Sequence, residues 1–319
     1  MNRDEFVGAN RALWTRVEGM LDRLESGDRY EQELAELPAL YRRCCHHLAL
    51  ARQRHFDASV EARLNRIALR GHHQLYRKRR GNFAADTLRF LGAGFPRLVR
   101  SHAALFWLAT VLFYGPGLVM ATLIFQDPDI VYTLLSPAQV AEFEIMYSDG
   151  PEQERGSEGD FAAFGFYIYN NISVAFRTFA GGILAGLGTL FFLIFNGLFL
   201  GAVFAHLTHA GVADNLLAFV ITHGAFELTA IVIAGVAGLR MGQAVVAPGG
   251  FRRVDALRRA APDCVGLILG CTALLVAAAF VEAFWSSSVW LPAEVKIWVG
   301  SAAWGAVGLY LAFGGRGGS

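Results

Sequence analysis

Few residues in this apolar chain have types and spacings that could do chemistry. His223 and Glu227 stand four apart in His223-Gly224-Ala225-Phe226-Glu227, which puts imidazole and carboxylate on one helical face. The run around them, from about Leu216 to Leu239, is apolar. A central acid in such a run costs about 2.5–3.5 kcal/mol to insert in a bilayer, so Glu227 needs a partner or a wet cavity. Three readings follow: a proton or ion site, two ligands of a metal, or a His–Glu contact that fixes helix packing, aided by Asn196 or Arg177. The packing reading asks least of the sequence. A metal would recruit His206 and His209, and three His with one Glu would suffice for zinc. Those two histidines are expected at a membrane surface, however, and no second shell is evident, so neither metal nor cofactor is expected. Arg177 is placed near the outer entry of its span, where a long side chain can snorkel to head groups. No GxGxxG follows a strand, and the serines and histidines show no nucleophile arrangement, so the chain does not read as an enzyme.

The elements that must carry these residues are membrane helices. Of 319 residues, 54% are hydrophobic, 17% are charged and 35 are glycine, a balance that a soluble fold has no interior to absorb. The net charge of +1 hides a segregation: residues 1–103 hold 19 of the 28 Lys and Arg, whereas 126–171 holds nine acids against Arg155 alone. The first apolar run long enough to cross a bilayer begins near Ala103, so the N-terminus is expected on the side of synthesis. The four cysteines lack metal or redox spacing and read as free thiols in a reducing compartment.

Residues 1–100 are expected to form a cytoplasmic helical domain. Apolar stripes over 4–26, 31–56 and 57–78 predict three amphipathic helices that bury their stripes on one another. Between Tyr41 and His102 stand fourteen Arg and Lys against Asp57, Glu61 and Asp86. Arg42, Arg43, Arg77, Lys78, Arg79, Arg80, Arg97 and Arg100 are candidate contacts for anionic lipid or an acidic partner, since each exposed cation near an anionic leaflet is worth about 1 kcal/mol. No base-reading motif accompanies the charge, which argues against nucleic acid.

Residues 101–319 are expected to form the transmembrane domain, an all-α polytopic bundle of about six spans with an external acidic loop at about 126–171. In that loop Ser136-Pro137 starts a short helix reaching Tyr147, with Phe143, Ile145 and Met146 available to the membrane surface. The 39 apolar residues 172–210 would measure about 58 Å as one helix, about twice the hydrocarbon thickness. They must break, at Gly186 and Gly188 or at Asn196-Gly197. Further spans are expected near 216–239, 264–284 and 295–313. If the basic loop 240–262 is inside and 126–171 outside, the interval 172–239 crosses an odd number of times. Three crossings are preferred over one crossing with a re-entrant hairpin. The pairs Gly182/Gly186, Gly197/Gly201, Ala234/Gly238 and Gly266/Gly270 read as packing faces, within one chain or between two copies in a homo-oligomer.

Together, several segments resemble the SpoIIM-like family of stage II sporulation protein M. In the N-terminal part these are Trp14, Tyr41-Arg42-Arg43, Leu48-Ala49-Leu50-Ala51-Arg52, Leu64-Asn65, Tyr76 and Phe95-Pro96-Arg97-Leu98-Val99-Arg100. In the membrane part they are Asn170-Asn171, Gly181-Gly182 to Gly188-Thr189, Asn196-Gly197 with Gly201, and above all His223-Gly224-Ala225-Phe226-Glu227. The resemblance implies a non-enzymatic scaffold or anchor in the bacterial inner membrane, bound to lipids and other envelope membrane proteins, with AAA-type ATPase and von Willebrand A proteins as associates. The long basic N-terminal domain and the last span depart from the namesake, so a sporulation role is not implied. The competing reading is a transporter or channel subunit in which His223 and Glu227 line a polar route.

Overall fold

The computed structural model describes residues 2–26, 31–76, 83–148, 157–288 and 290–317, so Arg77, Lys78, Arg79 and Arg80 lie outside the described residues. Every described element is helical, and the chain divides into two compact units, Met1–Phe83 and Ala84–Ser319.

The first unit contains α1 (Arg3–Ser26), α2 (Glu31–Gln53) and α3 (Ala58–Tyr76). Their stripes meet in one core built from Phe6, Trp14, Val17 and Leu21 of α1, Leu37, Cys44 and Leu48 of α2, and Val60, Leu64 and Ile67 of α3. Trp14 is too large to bury without a home for its N–H, and Nε1 donates to His47 Nδ1 at 3.0 Å. That bond suits a neutral imidazole, and burial lowers the His47 pKa below its ordinary value. Asp57 caps α3, accepting from the backbone N–H groups of Ser59 and Val60 at 2.8 and 3.1 Å. The Ser59 hydroxyl first, then these backbone bonds and Arg3, hold its carboxyl at about 2. Arg63 forks onto Glu18 at 2.6 and 2.9 Å, and Arg70 onto Glu25 with a further bond to Asp22, so part of the basic excess is neutralised by α1. Arg42 and Arg43 are exposed on α2.

The second unit opens with α4 (Phe83–Arg89), a π turn at Phe90–Gly94 and α5 (Phe95–Ser101). Residues 84–100, expected in the N-terminal domain, therefore pack with the membrane bundle. Next come α6 (Ala103–Gln126), a 3-10 turn at Pro128–Thr133, α7 (Pro137–Ser148), α8 (Ser157–Ala180), α9 (Leu187–His209) and α10 (Ala213–Val246). Then α11 (Arg253–Val281) runs into a π turn at Glu282–Ser286, and α12 (Ala293–Phe313) follows. Among the described residues five helices are long and apolar enough to cross a membrane: α6, α9, α10, α11 with its π turn, and α12. The chain is a multi-pass membrane protein.

Contacts at the two ends set the directions of travel. At one end Asp263, near the start of α11, meets Arg240 of α10 at 3.4 Å and His102, just before α6, at 3.5 Å. The α8–α9 turn abuts the same stretch of α10, with Gly182 against Gly238 and Gly186 against Gly242. At the other end Phe164 of α8 packs on Phe284 beyond α11, and α7 packs on the last turns of α6 and α9. So α8 also runs the length of the bundle, and among the described residues the chain passes between its ends six times. Three of those passes fall between the acidic and basic connections.

The 172–210 run breaks where its glycines allow. Gly186 has φ +87°, a conformation open to glycine, and Ala185 before it also has positive φ. Asn196-Gly197, the other expected break, lies inside continuous α9. There glycine serves approach instead: a Cβ at Gly197 would strike the Phe113 carbonyl oxygen of α6, and one at Gly201 the Gly117 carbonyl oxygen. Gly266 and Gly270 likewise receive Leu98 and Phe95 of the same chain. The expected small-residue faces are thus occupied within one chain. α8 starts at Ser157, well before residue 172, so the stretch 126–171 is mostly helical. Within it, Ser136 and Gln139 form a reciprocal capping box at α7, whose Ile145 and Met146 are exposed while Phe143 packs on Phe199.

Candidate intramembrane polar site

The site is built where α10 passes the π turn after α11. His223 and Glu227 fall on one face of α10, with His223 Nε2 3.9 Å from Glu227 Oε2. The π turn brings Glu282 and Ser286 to the same place, both nearly fully buried. Donor atoms of His223, Glu227 and Glu282 all lie within 4.8 Å of one another. The other ring nitrogen, His223 Nδ1, is 3.1 Å from Ser286 Oγ. Lys296 in the first turn of α12 is also buried and donates to the carbonyls of Ser286 and Ser288, each at 2.8 Å. Phe219 covers the imidazole edge-on, and Tyr147 of α7 packs on Phe219 while its carbonyl accepts from Asn215. These contacts place the site toward the bundle end that carries the acidic connection.

The other residues singled out by sequence stand apart from it. His206 pairs with Glu144 of α7 at 2.7 Å and His209 is exposed, so the three-histidine metal set does not assemble. Asn196 Nδ2 donates to the Phe192 carbonyl of its own helix. Asn171 is buried on α8, its side-chain oxygen accepting from Asn170. Arg177 is exposed near the end of α8, at the bundle end of Arg240 rather than at the outer entry, because α8 starts earlier than the apolar run. Arg97 and Arg100 donate to backbone carbonyls after and within the last turn of α12: Arg97 to Gly315, Arg100 to Leu311 and Gly314. They cap that helix and are not spare cations.

Glu282 and Lys296 were absent from the sequence expectation. Their signal was present, since an ionisable residue inside an apolar run such as Leu-Leu-Val-Ala-Ala-Ala-Phe-Val-Glu is a site candidate in its own right. A separate cavity of about 500 Å³ lies between α6, α9, α10 and α12, lined by Gly117, Gly201, Leu217, Gly224 and Trp304 among others. Its lining contains no ionisable member of the site.

The model of stage II sporulation protein M matches residues 104–287, more than half of the chain. The chain belongs to that family. The match spans the bundle from α6 through the π turn, and so includes His223, Glu227 and Glu282 of this SpoIIM-family protein. A domain of unknown function (DUF8413) matches residues 4–77, the three-helix unit. An uncharacterized protein of Methanocaldococcus jannaschii is 32% identical over 119 residues, covering 37% of this chain and 67% of that protein. No solved structure matches.

Proposed function

We propose that this SpoIIM-family protein is a non-enzymatic scaffold that anchors a cell-envelope protein complex in the bacterial cytoplasmic membrane, with its N-terminal unit in the cytoplasm. The observation that carries this reading is the backbone-to-backbone packing of α6 on α9 and of the α8–α9 turn on α10, which favours a rigid bundle over one that gates. The three-helix unit has its own core and presents Arg42 and Arg43, suited to an anionic leaflet or an acidic partner such as an AAA-type ATPase or von Willebrand A protein. Affinity purification from membranes tests it. Distinct membrane or envelope proteins should co-purify in fixed ratio, and the double substitution Arg42→Glu, Arg43→Glu should release a cytoplasmic partner while the bundle stays folded. Recovery of the chain alone under mild extraction would refute it.

One observation favours the second reading, a transporter subunit: a second carboxylate, Glu282, joins His223 and Glu227 inside the bundle. Against it, the cavity of about 500 Å³ is apolar and its lining excludes them. Glu227→Gln separates the two. It should leave a scaffold's partners co-purifying in the same ratio whether or not a cation is held at the site, whereas a transporter would stay assembled and lose function.

A further inference from the structure

We propose that His223, Glu227 and Glu282 bind one divalent cation of the zinc class, which pins α10 to the π turn after α11. Three observations converge on it. Donor atoms come from two different elements yet approach within 4.8 Å of one another, with His223 and Glu282 buried and Glu227 half-buried. Tetrahedral zinc with bonds of about 2.0–2.1 Å needs ligands about 3.4 Å apart, so the 3.9 Å from His223 Nε2 to Glu227 Oε2 closes with a small side-chain adjustment. The second ring nitrogen already has a partner: if Nδ1–H donates to Ser286 Oγ, the Nε2 lone pair is left for a cation beside Glu227. An imidazole oriented by an outer hydrogen bond is how metal-ligating histidines are held.

Charge decides between cation classes. Two carboxylates and a neutral imidazole carry two negative charges, and a dication makes the set neutral, which lowers the cost of keeping it among apolar helices. Lys296 does not supply that compensation through an ion pair here, because its ammonium is directed at the carbonyls of Ser286 and Ser288. Calcium takes six to eight oxygen ligands and magnesium a near-ideal octahedron, whereas imidazole with few carboxylates suits zinc and its neighbours. Asp127, Asp129 and Glu142, exposed on the α6–α7 connection and α7, lie at the same bundle end and attract cations there.

The test uses the full chain in detergent, stripped with chelator, loaded with Zn²⁺ or Co²⁺ and desalted. Retained metal is counted by mass spectrometry, and Co²⁺ geometry is read from its visible absorption. The expected result is one retained equivalent with a tetrahedral Co²⁺ spectrum, lost in His223→Ala. The near-isosteric Glu282→Gln and Glu227→Gln should weaken binding at least ~10-fold, and Ser286→Ala by about 10–100-fold through the freed imidazole. His206→Ala should bind as the parent does. Failure of the parent to retain metal overturns the proposal. So does unchanged retention in Glu282→Gln, which keeps the shape of the site even if His223→Ala fails to fold.

Discussion

Substituting Gly197 by alanine probes the packing on which the scaffold reading rests. The added Cβ would meet the backbone carbonyl oxygen of Phe113, and a backbone atom, unlike a side-chain tip, has no rotamer to escape to. α6 and α9 must then part along a seam where Gly201 meets Gly117 one turn further on. Overpacking costs about 1–3 kcal/mol, and the upper end applies when the obstacle is backbone. Alanine returns about 1 kcal/mol in helix propensity, leaving a net loss of about 2 kcal/mol. For a unit of this size that is a fall in Tm of about 4–8 °C. The assay is thermal unfolding in detergent followed by fluorescence-detected gel filtration, with Gly305→Ala as control, since a Cβ at Gly305 of α12 meets nothing. The control should hold or gain stability. Equal Tm values for Gly197→Ala and Gly305→Ala would refute the close approach.

Further outcomes follow from the three-helix unit and the α12 cap. A fragment of residues 1–83 should fold alone, as judged by helical circular dichroism with cooperative melting. In it Trp14→Phe should cost about 1–3 kcal/mol, because His47 Nδ1 loses its buried donor. Its stability should be whole above pH ~6.5 and fall as pH drops below that, because the unfolded chain takes up a proton that buried His47 resists. Asp57 adds a second loss at lower pH: its contribution is present above the unfolded value near 3.8 and goes as pH falls through about 2. Acid titration by circular dichroism checks both, and His47→Gln should flatten the first. Burial pushes the Cys44 thiol up to about 11, so alkylation by iodoacetamide at neutral pH should wait for unfolding. In the full chain, Arg100→Ala should speed hydrogen exchange in the last turn of α12, whose carbonyls it holds.

Much of this architecture is legible in residue order because lipid imposes long apolar runs and a break wherever a run exceeds the bilayer. The three amphipathic stripes, the turn near Gly186 and the helix after Ser136 all follow from local chemistry. What local chemistry conceals is pairing across distance. Arg97 and Arg100 look like spare cations beside a membrane until α12, more than two hundred residues later, brings its last carbonyls to them. The start of α8 is hidden because Phe161 to Asn171 mixes aromatics with asparagine and lacks the uniform apolarity of a span. That shift of register moves Arg177 to the other end. Glu282 meets His223 and Glu227 only because the π turn alters the rotation of α11 at its end, a local geometry that side-chain periodicity does not encode.

We propose six passes among the described residues, with the α6–α7 connection and Ser288 on the outer side and the 247–252 turn within. Single cysteines at Ser288 and at Gly249, in a chain cleared of Cys44, Cys45, Cys264 and Cys271, can be challenged in spheroplasts with a membrane-impermeant maleimide. The account predicts labelling at 288 and protection at 249 until the membrane is permeabilised. Labelling at 249 in sealed spheroplasts would contradict it.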